Sequence, residues 1–190
     1  MQKIQTANQL SGRATGALFF AGFGALWIAL SLYALQKLSA ATVSGNLAGL
    51  VVLVLAAIFL LRVAKRWPRV PDDPAISRVF KRVNLEQWLA VFIVASALQW
   101  LHLDAYVINA ITAIVGLHMF PLARLFRYVP HYWSGAVLVV WAVASAVFVP
   151  NEHLQGVSAL GTGIILWLSA AVTLALAYQA ARQSAEPLTC

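Results

Sequence analysis

Apolar residues come in six long runs separated by short polar gaps, and each run approaches the roughly 20 residues that a helix needs to cross a bilayer. The runs cover about residues 16–35, 44–61, 85–101, 105–123, 132–149 and 156–178. The first is longer than the usual apolar core of a secretory signal, so it reads as a retained span. The pattern predicts an all-α, polytopic membrane bundle of six transmembrane helices in a single domain, residues 1–190.

The second gap is the only one long enough to hold structure of its own. Asp73 precedes Pro74, which suits an N-cap followed by proline at the first helical position. Ile76, Val79, Phe80 and Val83 then recur at helical spacing, with Arg78, Lys81 and Arg82 on the other side. This predicts a short amphipathic helix over about 74–83, lying on the membrane surface with those three cations on lipid headgroups. Asn84 and Gln87 would then cap the third span.

Charge orients the bundle. Twelve of the thirteen Lys and Arg residues occupy alternate gaps: Lys3 and Arg13 before the first span, seven residues from Arg62 to Arg82, then Arg124, Arg127 and Arg182. Only Lys37 falls in the opposite set. Loops that stay in the cytoplasm retain Lys and Arg, so both termini are expected there, with three tight hairpins on the far side of a bacterial cytoplasmic membrane.

Composition agrees. The chain is 62% apolar and 10% charged, where a soluble domain runs at roughly 45–50% and about 25%. A net charge of +7 raises the question of nucleic acid, but basic residues flanking apolar runs match membrane lipids instead; no nucleic acid is expected. The single cysteine, Cys190, allows no internal disulfide and no thiolate cluster. Small residues recur every fourth position in the first span (Gly12, Gly16 and Gly24; Ala17, Ala21 and Ala25) and again at Ala159 and Gly163, with Gly161 nearby. Such faces let helices approach closely, within one bundle or in a homo-oligomer. A faint repeat is visible at an offset of 63 residues: Ala34-Leu35-Gln36 matches Ala97-Leu98-Gln99, and Asn46 matches Asn109.

Polar groups inside hydrocarbon are expensive and therefore candidates for function. The fourth span holds most of them. Asn109, Thr112 and Gly116 share one helical face, while His118 falls on the opposite side. That predicts a helix buried on both sides, the central one of the bundle. Pro121 frees a carbonyl one turn back, and Arg124 and Arg127 stand near the inner mouth, as anchors or as an anion-attracting pair. Outside, Gln99, His102 and Asp104 in the third gap and Glu152 and His153 in the fifth form a second polar cluster. These residues have the chemistry for a divalent metal if the two tips meet. His118 and His131 on one side, and His102 and His153 on the other, would be the ligand pairs for a haem.

The run Gly116-Leu117-His118-Met119-Phe120-Pro121-Leu122-Ala123-Arg124-Leu125-Phe126, followed by Pro-x-Tyr-Trp-x-x-Gly at Pro130–Gly135, resembles a signature of small bacterial six-span inner-membrane proteins with no assigned activity. The three-hairpin layout is similar in outline to the acid-resistance membrane proteins. Neither resemblance implies a catalytic residue or a cofactor. No metalloprotease, nucleophile-elbow or phosphate-loop motif is present, and no carboxylate lies deep in a span. The leading expectation is a non-enzymatic protein, without cofactor, that handles a small solute or ion with Asn109, Thr112, His118 and Arg124 facing the path. An accessory or stress-related protein acting through partners is the alternative, and a haem-binding redox protein the third.

Overall fold

The computed structural model describes residues 6–71 and 73–185, so Lys3 and Cys190 lie outside the described residues. Within them the chain forms six α-helices and one short 3₁₀ turn, with no strand: α1 (Ala7–Ala34), α2 (Ala40–Ala64), α3 (Pro74–Trp100), the turn Asp104–Tyr106, α4 (Val107–Phe126), α5 (Pro130–Phe148) and α6 (Asn151–Ala185). Five segments are long and apolar enough to cross a membrane: Ala7–Ala34, Ala40–Ala64, Asp104–Phe126, Pro130–Phe148 and Asn151–Gln183. Large apolar side chains such as Phe92, Trp100, Val140 and Phe148 point outward. That is the reverse of a soluble surface and fits a multi-pass helical membrane protein.

α3 differs from the sequence expectation. The surface helix over 74–83 and the third span are one uninterrupted helix of 27 residues. No glycine or proline separates Val83 from Leu85, and two local contacts bridge the expected boundary. Asn84 donates to the Phe80 carbonyl at 2.9 Å instead of capping a new helix, and Arg82 pairs with Glu86 at 2.8 Å. The expected start does hold: Asp73 accepts from the Ala75 N–H at 2.8 Å, with Pro74 at the first position. α3 carries Arg78, Lys81, Arg82 and Glu86 in its first half and is not among the five apolar segments.

The helix ends follow local chemistry. Ser39 and Thr42 form a reciprocal capping box at the start of α2, which satisfies two otherwise orphan donors. α1, α3 and α4 each stop at a left-handed residue, Gln36, His102 and Arg127. In each, the following N–H reaches back five residues, from Lys37 to Leu32, Leu103 to Leu98 and Tyr128 to Ala123, which is the Schellman closure. Leu35, Gln36 and Lys37 thus correspond to Leu101, His102 and Leu103, an offset of 66. The sequence match at 63 is out of register with the helix ends, and it pairs asparagines that act differently. Asn46 bonds back to Ala25 of α1, whereas Asn109 bonds forward to Ala142 of α5.

Packing places α6 at the centre. It contacts α1, α2, α4 and α5, while α2 and α3 sit at the two flanks. α4 was the expected centre; it is buried on two sides, against α5 and α6 and against α3, but α6 makes the wider set of contacts. The seams rest on small residues. Gly24 of α1 and Gly163 of α6 meet backbone to backbone, as do Gly116 of α4 and Gly135 of α5. Ala17, Ala21 and Ala25 are buried as their spacing implied, but Gly12 and Gly16 face open space.

Contacts between distant residues define two ends. At one, the Ala7 N–H donates to the Pro68 carbonyl, Asn8 exchanges two hydrogen bonds with Val70, and Phe80 packs on Phe126. At the other, Gly156 abuts Leu35, and the Gln155 amide donates to the Asp104 carbonyl at 2.8 Å. The described basic residues gather at the first end, leaving Lys37 at the second.

Candidate functional site

A line of polar side chains follows the junction of α4, α5 and α6. Asn109 of α4 donates to the Ala142 carbonyl (3.0 Å) and to the Ser145 hydroxyl (2.8 Å), both on α5. Ser145 in turn lies 2.8 Å from the Ser158 hydroxyl of α6. One turn further along α4, the Thr112 and Thr162 hydroxyls are 2.8 Å apart, each also within reach of the carbonyl four residues behind it, so that one can donate across the helices while the other donates to its own backbone. Ser134 and Ser169 repeat the pairing at 2.8 Å nearer the basic end. Asn109, Thr112, Ser145, Ser158 and Thr162 are all buried.

Why these helices present such a line is visible in α6. Ser158, Thr162 and Ser169 fall within about 40° of one another at 100° per residue, which makes one hydroxyl stripe turned toward α4 and α5. A hydroxyl in an apolar helix can bond its own backbone one turn back, so it is tolerated without a partner. Meeting a second hydroxyl adds an interhelical bond. The spacing of these hydroxyls is legible in the sequence.

Asn109 is thus both a clamp and an unfinished one, because its Oδ1 is buried without a hydrogen-bond partner. Asn109→Leu should lower stability by roughly 0.6–2 kcal/mol, the range for interhelical hydrogen bonds in bilayers. Thermal unfolding in detergent, followed by tryptophan fluorescence, checks this. An unchanged midpoint would mean that the bonds to Ala142 and Ser145 contribute nothing.

A separate cluster of rings stands toward the basic end. His118, 8% exposed, turns away from Asn109 toward the Val83 backbone of α3 and lies within electrostatic reach of His131. The His131 ring stands edge-on to Phe20 of α1 (centroids 5.6 Å apart) and to Tyr128 (4.9 Å). Above Tyr128 sits the Arg13 guanidinium, 4.9 Å from the ring centroid, close enough for a cation–π contact. Two atoms here are buried without partners: the Tyr128 hydroxyl and His131 Nδ1. The pair that a haem would require on this side, His118 and His131, is together here, with Phe20 and Tyr128 packed on His131.

The chain matches no family model, no curated protein and no solved structure. The functional argument therefore rests on this geometry.

The other candidates fall elsewhere. Arg124 is exposed and lines a shallow cleft with Val79, Pro121 and Tyr132, away from the hydroxyl line. Arg78, Lys81 and Arg82 are exposed along the first turns of α3, where Arg82 is paired with Glu86. At the far end Gln99, His102, Asp104, Glu152 and His153 are all exposed. The two tips do meet, but through Gln155 and the Asp104 backbone; His153 approaches only its neighbour Glu152, at 3.5 Å. Among the described residues no three His, Cys, Asp or Glu side chains converge. Arg13 and Tyr128, which complete the basic-end cluster, are 115 positions apart in sequence. No local pattern joins them.

Proposed function

We propose that the chain is a six-span protein of a bacterial cytoplasmic membrane, N-in and C-in, which handles a proton or another small ion through the α4–α5–α6 junction without covalent chemistry. Six spans are supported by α3, whose 27 residues give about 40 Å of helix. It starts beside Phe126 at the basic end and finishes next to the Asp104 turn at the other. The orientation is supported by the segregation of twelve of thirteen basic residues under the positive-inside rule.

The observation that carries the functional reading is the polar line itself. Amide and hydroxyl groups pair across the helices from Asn109 to Ser134 and Ser169, and the imidazoles of His118 and His131 stand within electrostatic reach of each other toward the basic end. Hydroxyls and imidazoles both donate and accept. The Gly116–Gly135 contact closes the helices between the Thr112 level and the His118 level, so passage there would require α4 and α5 to part.

The test is proton flux into proteoliposomes carrying an entrapped pH-sensitive dye, driven by an imposed pH gradient. The wild-type protein should dissipate the gradient faster than protein-free vesicles, and His118→Ala should return the rate to that of empty vesicles while the unfolding midpoint is kept. Equal rates for wild type and His118→Ala would sink the reading. A second reading, an accessory protein acting through partners, is favoured by one observation: the first turns of α3 project Arg78 and Lys81 into the open, with no ion pair among the described residues.

A further inference from the structure

Beside the ring cluster, on the outer surface of the bundle, α5 and α6 diverge to leave a groove of about 770 Å³. Its walls are apolar: Trp133 and Val137 of α5 face Leu168 and Val172 of α6. Two serine hydroxyls on its floor, Ser134 and Ser169, are 2.8 Å apart and lie within hydrogen-bond distance of their own helix backbones, at Pro130 and Ile165. Their two hydrogens are taken up by protein acceptors, so they offer water no donor. At the basic end the groove closes on Arg13 and the Tyr128 ring, level with Ala180 of α6. Among the described residues no carboxylate pairs with Arg13.

We infer that this groove binds one anionic phospholipid of the cytoplasmic leaflet, with its phosphate on Arg13 and an acyl chain between α5 and α6. The inference rests on the membrane placement proposed above and does not depend on proton handling. Three observations support this occupant. From Ile165 to Ala180 the groove follows 15 residues of α6, about 22 Å of helix, while half the hydrocarbon core is about 15 Å deep; one leaflet's chain and its headgroup region fit that length. A dry, open wall suits an acyl chain and not a soluble anion. Arg13 lies three residues before the first apolar run, at the depth where headgroup phosphates sit, and its guanidinium is held in place over Tyr128 instead of trailing in solvent.

Arg13 differs in this respect from Arg78 and Lys81. Those exposed cations can attract any anionic surface, whereas Arg13 stands at the mouth of a groove shaped for one chain. Selectivity for anionic lipid should therefore depend on Arg13, and lipid retention of any kind should depend on the groove.

The experiment is native mass spectrometry of the full-length protein released from nanodiscs containing equal parts phosphatidylglycerol and phosphatidylcholine. Wild type should retain one phosphatidylglycerol in preference to phosphatidylcholine. Arg13→Ala should reduce that preference about fivefold, the effect of one basic residue near an anionic surface. Val172→Trp, which fills the groove, should lower retention of both lipids. Arg78→Ala/Lys81→Ala should leave the preference unchanged. Equal retention of the two lipids by wild type, or a preference that survives both Arg13→Ala and Val172→Trp, would overturn the inference. So would a lipid-free dimer peak that Val172→Trp abolishes, because a second copy would then be the occupant. If Arg13→Ala fails to fold, Val172→Trp alone decides the outcome. Failure of the membrane placement is separately visible, as protein that does not enter nanodiscs at all.

Discussion

Gly135→Ala is expected to pull α4 and α5 apart. A Cβ at Gly135 would stand 2.6 Å from the Gly116 carbonyl and 3.0 Å from Met119 Cβ, and one at Gly116 would meet the Gly135 carbonyl at 2.9 Å. The obstacle in each case is backbone, which no rotamer change can move. Relief requires separating the two helices, and overpacking of this kind costs typically about 1–3 kcal/mol. Gly135→Leu should exceed that range and yield little folded protein. The controls are in the same chain: Gly12, Gly16, Gly22 and Gly45 have open space where a Cβ would go. At those sites alanine should be neutral or gain up to about 1 kcal/mol through helix propensity. Unfolding midpoints of the two sets, measured in one detergent, should separate cleanly. If Gly135→Ala unfolds with the Gly16→Ala variant, the seam is not the constraint described here.

Trp167→Ala should be the most damaging side-chain truncation. The indole of Trp167 on α6 lies against Gly24 of α1 and Gly49 of α2, and a Cβ on either glycine would overlap the ring. Its Nε1–H donates to the Ala21 carbonyl at 3.0 Å. One side chain thereby keys three helices together. In soluble cores Trp→Ala costs about 3–5 kcal/mol; in a bilayer the packing share remains while the water-transfer share shrinks, because lipid tails are as apolar as the core. Trp167→Phe isolates the hydrogen bond and part of the volume, so it should fall between wild type and Trp167→Ala. A Trp167→Ala midpoint equal to wild type would show that α2 is held by other contacts. Retained binding of α2 can be followed independently, by disulfide trapping between cysteines placed on α1 and α2.

Neither Gly135 at the α4–α5 seam nor Trp167 at the junction of three helices has a local sequence signature of that role. Gly24, Gly163 and Gly116 stood out through small-residue spacing or through the crowded segment after Asn109. Which glycines were seams and which were bystanders was not legible, because Gly12 and Gly16 share the spacing of Gly24 and differ only in having no helix opposite them. Trp167 looked like one more aromatic residue in an apolar run. Its role depends on gaps at Gly24 and Gly49, more than a hundred positions earlier.

The outer polar cluster makes the same point from another direction. His102, Asp104, Glu152 and His153 carry metal-binding chemistry, but their two tips join through Gln155 and a backbone carbonyl. Residue type was informative about what these groups could do. Side-chain direction, set by the left-handed turn at His102 and the start of α6, decided that they do not converge.

Period and charge along the chain were enough for the helical class, the long apolar segments, the start of α3 at Asp73-Pro74 and the burial of both Asn109 and His118. These properties are local: they follow from hydrogen bonds within a few residues and from the energy of each segment in water or lipid. Tertiary structure alone decided that α3 runs unbroken from Pro74 to Trp100, that α6 and not α4 is the hub, and that the hydroxyls of α4, α5 and α6 meet in one line. It also brought Arg13, Tyr128, His118 and His131 together at one end. The physical reason is that an apolar helix can satisfy its backbone by itself, so sequence periodicity records that a face is apolar without recording which neighbour covers it. Partner choice comes from close packing of small residues and paired polar groups across helices, and those pairs are distant in the chain.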